Sequence, residues 1–292
     1  MRRYGNPAAF KQALEQRLRH LSESGPGFAR LRQRLVFDRF LARLSHAFRE
    51  AVILKGGLAL ELRLQTARTT KDVDLRLTGS PGDMLARLQA AGRADLDDFM
   101  NFEAGPDKRR PRIENEGLRY EGRRFRAECR LAGKLYGGPF GVDVAVADPI
   151  YGEPDLVFAE DLLAFAGIPP PQVRLYPLES HIAEKLHAYT MPRDSMNSRV
   201  KDLPDLALLS GIRPINAESL ETAIRRTFEF RRTHDIPKLI PAPPEPWRTP
   251  YRAMAESNGL PWTSLESVFE AVRDVLDPIL DSARRSKEPP RP

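Results

Sequence analysis

The chain has 292 residues, a formal net charge of +6, and 41% hydrophobic and 29% charged residues. This composition is typical of a folded globular protein and argues against a disordered chain. The one cysteine, Cys129, excludes an internal disulfide framework and fits a reducing compartment. No apolar run approaches the roughly 18 residues of a membrane span, and no signal-peptide core follows the basic start, so we expect a cytoplasmic protein.

The first fifty residues predict two helices, at residues 7–21 and 28–49, separated by Gly25-Pro26-Gly27. In the second helix, apolar residues recur at helical spacing with arginines between them, which indicates a face that packs on a core. We therefore expect residues 1–50 to form a helical segment that packs on the domain after it. We assign no chemistry to this segment.

The stretch of residues 51–78 contains the first candidate site. A short apolar run ends at Lys55-Gly56-Gly57, and a helical segment follows it. The two glycines let a phosphate approach the backbone and the free N–H groups at the start of that helix, where anions are favoured. Lys55 would add a neutralising charge, so this turn predicts a phosphate-binding site.

Two carboxylates follow the same helix. A basic turn that includes Arg68 and Lys71 leads into Asp72 and Asp74, which lie on a strand-like run. Strand side chains alternate between faces, so both carboxylates project from one face, with backbones roughly 6.5–7 Å apart. Such a pair suits a hard divalent cation. Together with the phosphate-binding turn, it predicts phosphoryl or nucleotidyl transfer.

A third carboxylate, Asp143, lies further along the chain. Residues 83–91 predict a helix, residues 92–118 a charged loop, and residues 124–131 and 140–147 two strands. In the second of these strands, Asp143 lies among small apolar residues, where a charge is costly unless it is paired or binds a metal. Asp143 could therefore be a third metal ligand or the partner of a neighbouring arginine, and we favour the metal.

The C-terminal part of the chain predicts a helical lobe. A proline-rich linker at residues 167–177 indicates a domain boundary, and the helix that starts at Leu178 carries Lys185. Lys185 could point into the cleft between the lobes, or it could lie exposed on an amphipathic helix. Asp202 could take part in the chemistry, or it could cap a helix that has Pro204 in its first turn.

These motifs resemble those of a known family, the AbiEii toxins. The first motif of that family is similar to Leu54-Lys55-Gly56-Gly57-x-Ala59-Leu60 followed by Arg68-x-Thr70-x-Asp72-x-Asp74. The second is similar to Glu184-Lys185-Leu186 with the later Lys201-Asp202-x-x-Asp205-Leu206. The FxxRxTH stretch at residues 228–234 resembles the C-terminal portion of the family. The AbiEii toxins belong to the polymerase-β-like nucleotidyltransferases and include the MenT toxins.

The resemblance implies an α/β (α+β) fold with a polymerase-β-like core at residues 51–177, in which helices flank a small mixed sheet. Residues 178–286 would form a mostly helical lobe, and residues 287–292 a disordered tail. It also implies Mg²⁺-dependent transfer of a nucleoside monophosphate from an NTP to an acceptor hydroxyl, with release of pyrophosphate. By analogy with the MenT toxins, the acceptor is the 3′ end of tRNA, which would block aminoacylation. The positive net charge is compatible with RNA, and the family implies an antitoxin partner.

The resemblance also implies a role for each candidate residue. Three carboxylates would hold Mg²⁺ and take part in catalysis, namely Asp72, Asp74 and Asp143. Two further candidate catalytic residues are Lys185, which would hold the triphosphate, and Asp202, which would be essential. The candidate nucleotide-binding residues are Lys55, Gly56, Gly57, Arg68, Lys71 and Lys185.

Three alternatives stay open. The same metal site serves any hydroxyl acceptor, so the acceptor could be a protein or a small molecule. A non-catalytic RNA- or nucleotide-binding module is the second alternative, although it would not need the carboxylates or Lys185. A metal-dependent nuclease is the third, although such sites usually carry a lysine within the acidic motif and none follows Asp74. The sequence does not specify the NTP, the tRNAs, the mode of the antitoxin or the oligomeric state.

Thr70 lies two residues before Asp72 and suggests a regulatory hypothesis. A phosphate on the Thr70 hydroxyl would place negative charge beside the carboxylates and would repel an NTP. The alternative is a hydroxyl that stabilises a tight turn, and we favour this interpretation.

Overall fold

The computed structural model describes residues 4–23, 27–64, 70–78, 83–109, 122–146, 149–193 and 199–285. Its helices follow the apolar periodicity of the sequence and are α1 (Pro7–Ser22), α2 (Phe28–Phe48), α3 (Gly56–Leu64), α4 (Met84–Gly92), α5 (Leu178–Thr190), α6 (Asp202–Ser210), α7 (Ala217–Arg231), α8 (Arg248–Asn258) and α9 (Leu265–Arg285). None of the helices within these ranges combines the length and the hydropathy that crossing a membrane requires.

Eight strands form one mixed sheet. They are β1 (Val52–Lys55), β2 (Asp72–Leu77), β3 (Met100–Pro106), β4 (Gly122–Leu131), β5 (Lys134–Leu135), β6 (Phe140–Val146), β7 (Asp155–Phe158) and β8 (Gln172–Leu175). The strand order is β3-β4-β6-β2-β1-β8-β7, and β5 pairs with β4. The β2–β6 and β1–β8 pairs are parallel and the others are antiparallel. This confirms the predicted fold class and places the three strands that carry carboxylates and Lys55 side by side.

Two segments differ from the sequence predictions. The charged loop predicted for residues 92–118 contains β3, in which Met100, Phe102 and Ala104 alternate inward with exposed residues. The proline-rich linker predicted for residues 167–177 contains β8, which pairs in parallel with β1. Strand β8 has only four residues and follows a run of prolines, and β3 lies within a stretch rich in charged residues, so the local composition hides the period of two.

Buried hydrophobic side chains form two clusters. The first joins α1 and α2 to the sheet, with members such as Phe10, Phe40, Val73, Phe102 and Val142. The second joins the C-terminal helices, with members such as Leu186, Leu206, Ile224, Tyr251 and Leu276. Helix α3 contributes Leu58 and Leu62 to the first cluster and Leu60 to the second. The segment that follows Lys55 therefore lies where the two clusters meet, and the boundary at residue 177 stays a prediction.

Candidate active site

A row of charged side chains crosses four neighbouring strands. Lys55 of β1 lies opposite Asp74 of β2, Asp74 lies opposite Asp143 of β6, and Asp143 lies opposite Arg124 of β4. Because residues in register on adjacent strands project to the same face, these four side chains form one line across the sheet. The order of their charges is positive, negative, negative, positive.

A second row lies one pleat along the same face. Asp72 lies opposite Gly141, and Gly141 lies opposite Arg126. The missing side chain at Gly141 makes room for the neighbouring carboxylate, because a Cβ there would lie 2.5 Å from Asp72 Oδ1. The structure therefore brings Asp72, Asp74 and Asp143 together on one face, as the alternation of the sequence predicts for the first two.

The start of α3 lies directly against the carboxylate of Asp74. Gly56 has a φ of +65°, and a Cβ at this position would lie 1.9 Å from Asp74 Oδ2. Only glycine combines this backbone conformation with so close an approach. The predicted phosphate-binding turn and the predicted carboxylate pair are thus parts of one site.

We expect Gly56→Ala to lower the free energy of unfolding by about 2–4 kcal/mol, because the added methyl group meets both a left-handed backbone and the Asp74 carboxylate. Gly133→Ala is the matched control, since Gly133 has a φ of +72° with nothing within 4 Å of an added Cβ. The control should cost about 1 kcal/mol from the backbone alone. Urea unfolding of the two variants measures the difference, and equal losses would contradict the close contact with Asp74.

Asp74 lies in an excess of negative charge. Burial, together with the neighbouring charges of Asp143 and Asp72, raises the pKa of its carboxyl to about 6. The charges of Lys185 and Lys55 act in the opposite direction without restoring the ordinary value. A cation beside Asp74 would therefore be favoured, because it would compensate a charge that the two lysines leave only partly balanced.

Asp143 forms an ion pair with an arginine, which the sequence analysis gave as the alternative to a metal ion. Arg124 donates from Nε to Asp143 Oδ1 over 2.6 Å and from Nη2 to Oδ2 over 2.5 Å. This two-bond ion pair raises the pKa of the arginine above its ordinary value. The assignment of Asp143 as a metal ligand stays a prediction, and the structure adds Arg124 to the site.

The donor set fits a hard divalent cation at Asp72 and Asp74. Carboxylate oxygens are the ligands that Mg²⁺ takes from proteins, and neither of these two side chains forms an ion pair with another described residue. In the described part of the chain, no group of three His, Cys, Asp or Glu side chains is arranged to hold a metal ion. The ion pair of Asp143 is consistent with that finding, because Arg124 donates a hydrogen bond to each oxygen of this third carboxylate.

Lys55 is held beside the carboxylate row by the C-terminal lobe. Its Nζ donates to Glu184 Oε1 over 2.8 Å and lies 4.3 Å from the centre of the Tyr176 ring. Glu184 also accepts a hydrogen bond from Arg231 over 3.1 Å. Burial would raise the pKa of Glu184, but Lys55 and Arg231 outweigh it and hold that pKa well below its usual range. Glu184 is therefore ionised and fixes the position of Lys55.

Lys185 is fixed by two buried carboxylates. Its Nζ donates to Asp202 Oδ1 and to Asp205 Oδ2, each over 2.8 Å. Asp205 is fully buried and Asp202 is 3% exposed. The side chain of Asp202 therefore contacts Lys185, and α6 begins without a side-chain cap. The charge of Lys185 also lowers the pKa of Asp74.

The remaining predicted residues lie at the edges of this site. Gly57 belongs to the first turn of α3, and Lys71 is exposed beside Asp72. Arg68 lies outside the described residues. Thr70 is buried, and its hydroxyl donates to the backbone oxygen of Asp72 over 3.4 Å, as the turn interpretation predicts.

Five contributing residues did not receive a role from the sequence, namely Arg124, Tyr176, Glu184, Asp205 and Arg231. Signals were present for three of them, because Glu184 precedes Lys185 in the second motif, Asp205 is part of the KDxxDL string and Arg231 is the arginine of FxxRxTH. Arg124 and Tyr176 join the site only through the pairing of distant strands and helices, which no local pattern shows.

Comparison with known proteins agrees with this geometry. The family described as "Nucleotidyl transferase AbiEii toxin, Type IV TA system" matches residues 39–277, which confirms the resemblance seen in the motifs. Curated protein sequences give no match. Among solved structures, the chain is similar to MenT4, a nucleotidyltransferase toxin from Mycobacterium tuberculosis H37Rv, with 16% identity and a TM-score of 0.61 over 93% of this chain and 92% of that one.

A second solved structure, JHP933 from Helicobacter pylori, shares 13% identity over 88% of this chain and 94% of that one, with a TM-score of 0.45. The likeness to MenT4 shows the fold, and the family match covers most of the chain. The chain belongs to the AbiEii family of nucleotidyl transferase toxins of type IV toxin–antitoxin systems.

Proposed function

We propose that this chain transfers a nucleoside monophosphate from an NTP to the 3′ end of tRNA, with Mg²⁺ as cofactor. The observation that carries the proposal is the line of Lys55, Asp74, Asp143 and Arg124 across the sheet, with Asp72 one pleat away. A binding module would gain nothing from a cluster of carboxylates that repel one another and that repel a nucleotide. The cluster becomes favourable when a cation and a triphosphate share the site.

In the reaction, the acceptor oxygen forms a bond to the α-phosphorus, and the bond from that phosphorus to the bridging oxygen breaks. Pyrophosphate leaves with the electron pair, and a carboxylate of the site accepts the hydroxyl proton. Asp72 and Asp74, with Asp143 beside them, would hold Mg²⁺, which when bound neutralises phosphate charge and lowers the pKa of the hydroxyl.

The phosphates would be bound by the start of α3 and by the lysines around it. The first N–H groups of a helix have no partner within it, so the Gly56-Gly57 turn would offer them to a phosphate. Lys55 lies in the carboxylate row, and Lys185, Lys71 and Arg68 would add positive charge. Glu184 and Asp202 hold Lys55 and Lys185 in place before the nucleotide arrives. Such preorganised charges stabilise the leaving pyrophosphate without a cost of rearrangement.

Exposed cations beside the carboxylate row support RNA as the acceptor. Arg126 is exposed on β4 next to Asp72 and Gly141, and Lys108 and Arg109 are exposed just after β3. The backbone of residue 107 is hydrogen-bonded to Arg124, so this basic segment lies at the arginine end of the row. Phosphates of an RNA backbone would be attracted to these side chains. The family context further supports a separately encoded antitoxin as partner and action in the cytoplasm.

The test is incubation of the protein with total tRNA, Mg²⁺ and each α-labelled NTP in turn, with Asp72→Ala as the inactive control. We expect the wild type alone to label tRNA with at least one NTP and to make that tRNA a poor substrate for aminoacylation. Periodate-oxidised tRNA, which lacks the 3′-terminal diol, should stay unlabelled.

Three other results would overturn parts of the proposal. Label on a protein band and none on tRNA would keep the nucleotidyl transfer and overturn the tRNA acceptor. Equal labelling by wild type and Asp72→Ala would overturn the assigned site, and absence of label from every NTP and acceptor would overturn the reaction.

A further inference from the structure

The ion pair between Arg124 and Asp143 lies where the proposed function needs a third metal ligand. Both carboxylate oxygens accept hydrogen bonds from the guanidinium, over 2.6 and 2.5 Å. A carboxylate that is bound in this two-bond manner gives one lone pair of each oxygen to the arginine, and the guanidinium charge lies beside the lone pairs that remain. While the pair is intact, that positive charge disfavours a cation at Asp143, in contrast to Asp72 and Asp74.

The arginine supplies the positive charge that Asp143 would otherwise take from a cation. Within the row, Arg124 balances the negative charge of Asp143. Asp74 lies opposite Lys55, which also forms an ion pair with Glu184. The negative charges of Asp72 and Asp107 also favour the charged form of the guanidinium and raise its pKa. Without nucleotide, the site therefore has two carboxylates for a cation and a third that is neutralised by the protein itself.

The same pair is placed so that it can exchange partners. The side chain of Arg124 is 29% exposed and that of Asp143 is 14% exposed, so the guanidinium is partly accessible from solvent. A guanidinium binds phosphate through the same two parallel hydrogen bonds as it binds a carboxylate. An NTP in the site would offer Arg124 an alternative partner of higher charge, and transfer of the arginine to the triphosphate would release Asp143.

We propose that Arg124 controls the access of a divalent cation to Asp143. Without nucleotide, the chain binds one divalent cation, at Asp72 and Asp74. Transfer of Arg124 to a triphosphate adds Asp143 to the ligands and permits a second cation, as two-metal nucleotidyl transfer requires. The inference rests on the proposed function and makes Arg124 a positioning residue that couples nucleotide binding to completion of the metal site.

The test counts the Mn²⁺ ions bound to the full chain in the absence of nucleotide, by electron paramagnetic resonance of the free ion during a titration. We expect one ion on the wild type and two on Arg124→Ala, because the variant frees Asp143. Asp143→Asn in the Arg124→Ala background should return the count to one. Arg126→Ala is the matched control, since Arg126 lies on the same strand and face but opposite Gly141, and its count should stay at one.

Arg124→Lys is a second variant, which keeps the positive charge but cannot form two parallel hydrogen bonds with a carboxylate. We expect it to bind the second ion more weakly than Arg124→Ala does, and thermal melting checks that each variant is folded. Two ions on the wild type, or one on Arg124→Ala, would overturn the inference and leave the proposed function intact. No Mn²⁺ on any variant would overturn both the inference and the metal role of Asp72 and Asp74.

Discussion

Asp74→Asn should lower the rate of nucleotidyl transfer by on the order of 10³-fold or more, through loss of a metal-binding carboxylate. The same change should not lower the free energy of unfolding. Asparagine has nearly the same volume, and it removes a half-buried negative charge that lies beside Asp72 and Asp143. A loss of activity without a loss of stability is the signature of a residue that serves the reaction rather than the fold.

The measurement is single-turnover labelling of tRNA together with urea unfolding of the same preparations. Glu103→Gln is the control, because Glu103 is an exposed carboxylate on β3, at the far edge of the same sheet. That variant should match the wild type in both measurements. Activity of Asp74→Asn within about tenfold of the wild type would contradict the central place of Asp74 in the site.

The elements with strong periodicity were predictable from the sequence. The apolar stripe of α2 and the alternation of β2, β4 and β6 appear where the pattern places them. Strand β8 was not predicted, because four residues that follow a run of prolines are too few to show the alternation of a strand. Helix α8 was also not predicted. Its buried residues are Tyr251 and Ala255, which are too few to show a helical period in the sequence. Its place depends on packing against the other C-terminal helices.

The candidate site was predictable only in part, for a related reason. Alternation along one strand places Asp72 and Asp74 on the same face, and this needs no tertiary information. The register that aligns Asp74 with Asp143 joins strands that are far apart in the sequence, and it is set by the hydrophobic residues between the carboxylates. The ion pair of Arg124 depends on a further strand. The sequence analysis gave an arginine partner as one alternative for Asp143 but had no means to identify it.

A buried carboxylate on α2, Asp38, offers a sharp prediction about stability. Its side chain is 2% exposed, and neither oxygen has a hydrogen-bond partner in the described structure. Burial raises the pKa of Asp38 to about 7, with Glu160 and Glu61 adding to the effect and Arg34 and Arg39 opposing it. The folded state therefore favours the protonated form, whereas the unfolded chain ionises near the ordinary value of 3.8.

Asp38→Asn should consequently raise the free energy of unfolding at pH 8 by on the order of 2–4 kcal/mol, since each unit of pKa corresponds to about 1.4 kcal/mol. In the wild type, the folded state holds this proton between about pH 4 and pH 7, so the Asp38 contribution to stability falls as the pH rises through that window. Asparagine imitates the protonated acid and removes that part of the slope. Urea unfolding at pH 5 and at pH 8 measures both effects.

Asp98→Asn is the matched control, because Asp98 is a buried carboxylate that has partners. It accepts hydrogen bonds from Arg39 over 2.7 Å and from Arg43 over 2.6 and 2.8 Å, and Arg43 is itself fully buried. Burial alone would raise the pKa of Asp98, but the two arginines lower it below its ordinary value. Removal of its charge should cost about 3–5 kcal/mol, since it leaves a buried guanidinium without its partner. Destabilisation by both variants would show that Asp38 is ionised and paired in the folded protein, which would contradict the prediction.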